Sequence, residues 1–212
     1  GAFDDRDIHN VPPREVPSAT LATASFPCTD LSLAGGRKGL DGKHSSAFWG
    51  FVEIIDKMGT RRPPIVLLEN VAGFLSSHDG KDFEDALLAM NKLGYDVDAF
   101  IVDAAHFVPQ SRKRLFVVGI RGRVESSDDF GLALAQTELR PSALASFISS
   151  HRNIRWRLRC LPKLPNMTNN LTSIIEVEPT TSSLWWPENR AAYLIGQMSP
   201  KHRETAERMI AA

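Results

Sequence analysis

The chain's architecture follows from one segment, Ile65-Val66-Leu67-Leu68-Glu69-Asn70-Val71. Its four consecutive apolar residues suit a central strand of a parallel sheet, because such strands are buried on both faces. The strand delivers Glu69-Asn70-Val71 to its carboxyl edge, where open α/β sheets gather ligands and catalytic groups. Directly after an apolar run, Glu69 is expected to be partly desolvated, which lets it hold or share a proton. A plain loop cap is the alternative for Glu69.

Helix and strand patterns alternate on both sides of this segment. Upstream, residues 18–26 have the composition of a short strand buried on both faces, and residues 47–58 carry apolar side chains at helical spacing. Downstream, a helix over 83–93 precedes two strands, 95–107 and 115–120, which form a hairpin-like pair at one end of the sheet. This order predicts an α/β domain with a largely parallel sheet.

The first strand ends in Phe26-Pro27-Cys28, where the proline fixes its own φ and biases Phe26 toward extended geometry. Cys28 is therefore expected at a stiff corner just beyond the strand end, on the kind of loop that carries chemistry. We interpret Cys28 as a nucleophile. The alternative is a small core residue, which the rest of the chain has to exclude.

Two further loops are cationic. Residues 33–44 combine glycines with Arg37, Lys38 and Lys43, a composition attractive to phosphate. Between the last two strands, Gln110-Ser111-Arg112-Lys113-Arg114 places neighbouring cations that repel one another unless an anion meets them. A solvated surface loop is the alternative for each segment.

Beyond residue 120 the pattern loosens. Residues 121–138 indicate a polar loop and residues 141–148 a short helix, and a final helix runs through Met209. Residues 151–160 alternate as a strand with one apolar face and one arginine face. The arginine face would follow a phosphate backbone, or it belongs to an ordinary half-exposed strand.

Composition excludes several classes of protein. The 212 residues, 42% of them hydrophobic, suit one domain with a real core, or one domain and part of another. Lys and Arg balance Asp and Glu at 25 each, so a nucleic-acid surface would depend on local clustering. Two cysteines, Cys28 and Cys160, favour a reducing compartment over a disulfide framework or a structural zinc site. We expect neither membrane insertion nor secretion, and no metal.

Three motifs stand in one order: Phe26-Pro27-Cys28, Glu69-Asn70-Val71 and Gln110-Ser111-Arg112-Lys113-Arg114. Together they closely resemble the cytosine-5 DNA methyltransferase family, which carries a Pro-Cys nucleophile, a Glu-Asn-Val carboxylate and a Gln-x-Arg-x-Arg pair at comparable separations. The resemblance covers residues 7–120 and extends to 170–209. It implies a Rossmann-like S-adenosylmethionine-dependent methyltransferase fold, mostly parallel with helices on both faces, and incomplete here at both ends.

The resemblance implies a catalytic role for each motif. Cys28 would add to C6 of a cytosine, so that C5 can take the methyl group of S-adenosylmethionine. Glu69 would supply a proton or hydrogen bond at N3. Arg114 would hold the cytosine O2, and Arg112 would lie against the thiolate or the phosphate of the flipped nucleotide. The target base has to leave the duplex first.

Contacts with DNA follow from the same resemblance. Ser32, Arg37 and Lys38 would touch DNA from a loop that closes over the site. Asn70 and Gln110 would complete the DNA contacts.

The cofactor site is only partly represented. By resemblance, Asp7 and Ile8 would touch the adenine of S-adenosylmethionine, and Pro27 would line the pocket. The family's Phe-x-Gly-x-Gly opening and its ribose-binding acid would precede Asp7 and do not occur in this sequence. We therefore expect a fragment, or one half of a split or reordered enzyme, that needs a complementary polypeptide or a missing segment.

These inferences predict three regions: a partial catalytic methyltransferase domain over 1–122, a connector with a short helix and a basic strand over 123–170, and the start of a target-recognition region over 171–212. The expected activity is methylation of cytosine in double-stranded DNA by a bacterial restriction–modification enzyme, in the cytoplasm at the nucleoid. The alternatives are the tRNA-methylating branch of the same family and a non-catalytic nucleic-acid-binding fragment or subunit.

Overall fold

The computed structural model describes residues 3–26, 46–122, 134, 137–166 and 186–210. The chain divides into two compact units, Gly1–Asn169 and Asn170–Ala212. The strands of the first unit are β1 (Leu21–Ser25), β2 (Ile65–Val71), β3 (Tyr95–Asp103) and β4 (Lys113–Arg121), and its α-helices are α1 (Ser46–Lys57), α2 (Lys81–Lys92) and α3 (Ser142–Ser150).

The four strands form one sheet in the order β1-β2-β4-β3. β1 is parallel to β2, whereas β4 is antiparallel to both β2 and β3. β1, β2 and β3 therefore run in one direction and β4 runs against them. The α/β class, the dominant strand direction and the hairpin-like pair at one end are confirmed.

The core lies on one face of the sheet, which we call face A. Val66, Leu68 and Val117 on this face are at most 4% exposed, and α1, α2 and α3 add Phe48, Phe83, Leu144 and others to the same cluster. The opposite face, face B, carries the half-buried side chains Ile65, Leu67 and Glu69. Helices were expected on both faces, but the described helices of this unit pack on face A.

Strand β1 differs from its prediction, because its residues are not buried on both faces. Its side chains alternate between exposed and half-buried, and Leu21 is 48% exposed. Among the described residues β1 pairs along one edge only, with β2. Leu21, Thr23 and Ser25 share face B with their β2 partners and stay open to solvent there.

The predicted basic strand over residues 151–160 does not form. This segment makes a single bridge to the sheet, between Trp156 and Val97. The Asn91 side chain binds a backbone group that a strand would use for pairing, since its Oδ1 accepts the Arg155 N–H at 2.6 Å. Arg157 is 7% exposed and donates to the Gly122 carbonyl, so the segment has no continuous arginine face.

The second unit contains α4 (Glu188–Gly196) and α5 (Pro200–Ile210), and α5 confirms the final helix predicted from the sequence. The guanidinium of Arg190 lies 4.4 Å from the ring centroid of Trp186, in a cation–π contact at the start of α4. In the first unit, the described part of the predicted connector includes α3, whose Leu144, Phe147 and Ile148 belong to the sheet's core.

Candidate active site

The sheet brings Glu69 and Arg114 together at its edge. Glu69 lies near the end of β2, and Arg114 lies near the start of the antiparallel neighbour β4. The register pairs Glu69 with Phe116 and Val71 with Arg114, which makes Glu69 and Arg114 diagonal neighbours on face B. Their side chains meet in an ion pair of 2.9 Å between Arg114 Nε and Glu69 Oε1.

This ion pair is partly shielded from water. The side chains of Glu69 and Arg114 are 29% and 21% exposed. Partial burial strengthens the attraction relative to a fully solvated pair, because the effective dielectric constant is lower. Arg114 also donates through Nη1 to the Lys113 carbonyl at 2.8 Å, which fixes the plane of its guanidinium. The predicted carboxylate and one predicted arginine therefore form a single oriented unit.

Asn70 has a structural role in addition to its predicted one. Its side chain lies on face A and is 4% exposed. Its Nδ2 donates to the Phe26 carbonyl at 3.3 Å, and its Oδ1 accepts the Val71 N–H at 2.8 Å. Asn70 therefore links β2 to the residue that immediately precedes Pro27-Cys28.

Phe26 is anchored through its side chain as well as its carbonyl. The ring is 7% exposed, with centroids 5.1 Å from Phe48 and 5.5 Å from Phe74. The chain thus leaves β1 from a fixed point in the core. Five predicted site residues lie outside the described residues: Pro27, Cys28, Ser32, Arg37 and Lys38.

An open cleft of about 250 Å³ lies at this edge of the sheet. Its lining comprises Ser25, Phe26, Glu69, Asn70, Val71, Arg112 and Arg114. Gln110 and Arg112 are exposed on the segment that leads into β4. The cleft therefore unites the Glu-Asn-Val motif, both motif arginines and the residues directly before Pro27.

The sequence analysis did not single out Ser25 as a site residue. The parallel register sets Ser25 opposite Glu69, so both lie on face B at the mouth of the cleft. A signal was present, because adjacent parallel strands end at the same edge and Ser25 is the last residue of β1.

Asp7 and Ile8 lie elsewhere, at a short 3₁₀-helix (Ile8–Asn10). Asp7 caps this helix, and its Oδ1 accepts the His9 N–H at 2.9 Å. Ile8 packs on Gly50 of α1 so closely that a Cβ at residue 50 would approach Ile8 Cγ2 to 2.7 Å. Ile8 lines a second cleft of about 260 Å³ against α1, and the two clefts share no lining residue.

Across the described ranges, His, Cys, Asp and Glu side chains do not gather in threes as metal ligands would. None of the described helices is long and apolar enough to cross a membrane.

The fold is similar to that of a solved structure of a Spodoptera frugiperda DNMT2 variant, with a TM-score of 0.51 and 21% identity, over 82% of this chain and 45% of that chain. Residues 2–186 match the family model for C-5 cytosine-specific DNA methylase, and the chain belongs to this family.

Two curated relatives illustrate the range of similarity. Type II methyltransferase M2.BsuMI of Bacillus subtilis is 40% identical over 120 residues, which are 56% of this chain and 30% of that protein. A DNA-cytosine methyltransferase of Escherichia coli is 36% identical over an alignment of 137 positions, which covers 56% of this chain and 28% of that protein. The chain therefore spans less than half the length of either relative.

Proposed function

We propose that this chain is part of an enzyme that transfers a methyl group from S-adenosylmethionine to C5 of a flipped-out cytosine in double-stranded DNA. The observation that carries the proposal is the Glu69–Arg114 pair in a cleft whose wall includes Phe26, the residue before Pro27-Cys28. Family membership supports the reaction class.

Cys28 is the proposed nucleophile. Its thiolate adds to C6 of the cytosine, a C6–sulfur bond forms, and the displaced electron pair makes C5 nucleophilic. When bound, S-adenosylmethionine would supply the methyl group: C5 takes it from the sulfonium sulfur, the methyl–sulfur bond breaks, and the neutral thioether leaves as S-adenosylhomocysteine. After C5 is methylated, water takes the C5 proton and the C6–sulfur bond breaks, which restores the aromatic ring and the thiolate. Arg112, exposed at the cleft, favours the thiolate through its positive charge.

Glu69 and Arg114 recognise the Watson–Crick edge of the base. Glu69 supplies a proton or hydrogen bond at N3, where negative charge develops during addition of Cys28. Arg114 donates to the neighbouring O2 from a guanidinium that the Lys113 carbonyl already orients. When the base enters, it replaces part of the direct Glu69–Arg114 contact with contacts to each partner.

Asp7 and Ile8 have the chemistry to hold the adenine of S-adenosylmethionine. A carboxylate can accept from the adenine amino group, and an apolar side chain can pack on the ring. Asp7 is exposed and Ile8 half-buried, so both stay accessible from the surface. Pro27 is proposed as a further wall of the adenine pocket.

DNA contacts and cellular context extend the proposal. Ser32, Arg37, Lys38 and Gln110 are the proposed DNA ligands. Residues 171–212 are proposed to begin the target-recognition region that follows the catalytic domain. The type II relatives support a role in restriction–modification, hence a cytoplasmic, nucleoid-associated enzyme. A complementary polypeptide finds no support among the relatives and stays a prediction.

A covalent trap tests the nucleophile in the full-length protein. With S-adenosylmethionine and duplex DNA containing 5-fluorocytosine, the adduct should accumulate, because fluorine cannot leave C5 as a proton does. Cys28→Ser should abolish the adduct, whereas Cys160→Ser, at the exposed second cysteine, should leave it unchanged. Denaturing electrophoresis measures the adduct.

The same assay separates the alternatives. Trapping on fluorinated tRNA but not on duplex DNA would replace the proposed substrate with tRNA. Nucleic-acid binding without any adduct would indicate a non-catalytic role. Equal trapping by Cys28→Ser and the wild type would overturn the assignment of Cys28.

A further inference from the structure

Asp103 joins the two ends of the segment between β3 and β4, residues 104–112, which includes Arg112 and leads to Arg114. It is the last residue of β3, and its Oδ1 accepts the Ala105 N–H at 3.0 Å, so it caps the short helix Ala104–His106. The same Oδ1 accepts the Arg112 N–H at 2.8 Å, and Oδ2 accepts the Ser111 hydroxyl at 3.0 Å. One carboxylate therefore receives three hydrogen bonds from residues 105–112.

Apolar packing contributes little to this segment. Phe107 and Val108, at its turn, are 53% and 43% exposed. Polar contacts hold it instead. The backbone adds hydrogen bonds within the segment and one that joins its two ends, from the Ala104 N–H to the Arg112 carbonyl at 3.1 Å. The Asp103 carboxylate is the centre of these contacts.

The charged form of Asp103 is the one that accepts all three bonds. Its pKa is lowered chiefly by the Ala105 N–H, and then by the Arg112 N–H, the Ser111 hydroxyl and the charge of Lys113, with desolvation opposing them. Charge-assisted bonds of this kind are stronger than neutral ones. At neutral pH the Asp103 carboxylate is therefore ionised and accepts all three hydrogen bonds from residues 105–112.

We propose that Asp103 is a positioning residue that sets Arg112 and Arg114 for the methyl transfer. It contacts neither the proposed base site nor the side chain of either motif arginine, and within that motif it accepts only from the Ser111 hydroxyl and the Arg112 N–H. It acts through the Arg112 backbone, where β4 is about to begin, and thus fixes how the strand presents Arg114 to Glu69. This role rests on the proposed function above and adds a residue outside its three motifs.

Two variants of the full-length protein test the role. Asp103→Ala removes both acceptor oxygens and with them all three hydrogen bonds. Asp103→Asn keeps them in kind, since its Oδ1 can accept both N–H groups and its Nδ2 can donate to Ser111 Oγ. Asp96→Ala is the matched control, because Asp96 is a carboxylate at the opposite end of the same strand, paired with Arg155 at 2.9 Å.

Amide hydrogen exchange and steady-state kinetics are the two measurements. Asp103→Ala should speed exchange at Arg112 by about ten- to a hundredfold, the equivalent of one hydrogen bond to a charged acceptor. It should lower kcat on duplex DNA by a similar factor, about ten- to a hundredfold, with KM changed less than about threefold, because the arginine contacts strengthen as charge develops. Asp103→Asn should restore both, and Asp96→Ala should change neither.

The outcomes separate this role from the proposed function. Unchanged exchange at Arg112 in Asp103→Ala overturns the positioning role, whatever the activity. Faster exchange with unchanged kcat in an active enzyme also overturns it. If the wild-type protein methylates no cytosine, the proposed function fails. Faster Arg112 exchange in Asp103→Ala, with wild-type exchange in Asp103→Asn, would still show that Asp103 holds the Arg112 backbone.

Discussion

Glu69 and Asn70 are adjacent in sequence, yet they have opposite environments. Side chains alternate along a strand, so Glu69 on face B implies Asn70 on face A. Strand alternation alone therefore predicts that Asn70 does not share the exposure of Glu69. The Asn70 amide joins β2 to the Phe26 carbonyl, two residues before the proposed nucleophile in the sequence.

Replacing Asn70 tests this bridge. Asn70→Ala should lower the free energy of unfolding by about 1–3 kcal/mol, because a buried carbonyl and N–H lose their partner. It should also slow adduct formation with 5-fluorocytosine DNA by about tenfold, because the Phe26 carbonyl loses the hydrogen bond that holds the chain just before Pro27-Cys28. Chemical denaturation and the trapping rate are the measurements.

Asn91→Ala is the matched control for Asn70→Ala. Asn91 is a 6%-exposed amide that donates to the Tyr95 carbonyl at 2.9 Å and accepts the Arg155 N–H, away from the cleft. It should lose similar stability without slowing the trap. Equal slowing in both variants would show that the effect of Asn70 is general destabilisation.

At the scale of elements, β3 carries two carboxylate–arginine pairs that differ in burial. Asp98 and Arg140 are 9% and 2% exposed and make a bidentate contact of 2.6 and 2.9 Å. Burial raises the pKa of the Asp98 carboxyl, and Arg140 opposes that shift. Asp98 Oδ2 also accepts the Arg159 N–H at 3.0 Å, so one carboxylate fastens two later segments to face B.

Breaking the buried pair should cost far more than breaking an exposed one. Arg140→Ala should lower the free energy of unfolding by about 3–5 kcal/mol, because it leaves the Asp98 carboxylate buried without its main counter-charge. Arg155→Ala, which removes the partner of the exposed Asp96, should cost less than about 1 kcal/mol. Urea denaturation of both variants measures the difference, and equal losses would contradict it.

Elements with a clear pattern of apolar residues in their own sequence can be predicted from the sequence alone. β2, α1, α2 and β4 follow from apolar runs and helical spacing, Glu69 follows from its place after an apolar run, and Arg114 follows from the motif resemblance. Residues 151–160 have a strand's alternation, but the Asn91 side chain competes for the Arg155 N–H. The convergence of Asp103 and Arg112 is a contact across nine residues that no local pattern specifies.

At the scale of the whole molecule, hydrogen-bonded carboxylates determine how the protein responds to acid. The pKa values of Glu53, Glu84 and Asp103 are lowered, each chiefly by a hydrogen bond, and that of Asp4 is lowered to about 2 by Arg6. A carboxyl with a depressed pKa stabilises the fold above its unfolded pKa, and loses that contribution as pH falls through its folded pKa. Stability should therefore fall below about pH 4.5.

Glu84 isolates one part of this acid response. Its Oε1 accepts the Asn153 amide at 3.1 Å, the largest cause of its lowered pKa, and the charge of Lys81 adds to the effect. Glu84→Gln keeps an acceptor for Asn153 but cannot take up a proton. Near pH 7 it should change the free energy of unfolding by less than about 1 kcal/mol, as expected for an exposed ion pair.

The decisive measurement is the slope of unfolding free energy against pH. Between about pH 4.5 and 3 the Glu84→Gln slope should be shallower than that of the wild type, because the unfolded variant binds one proton fewer. In 1 M salt the Lys81 contribution is screened, whereas the Asn153 hydrogen bond is not. The difference between the two slopes should therefore shrink in salt but persist, and identical slopes at low salt would show that Glu84 does not take part in acid unfolding.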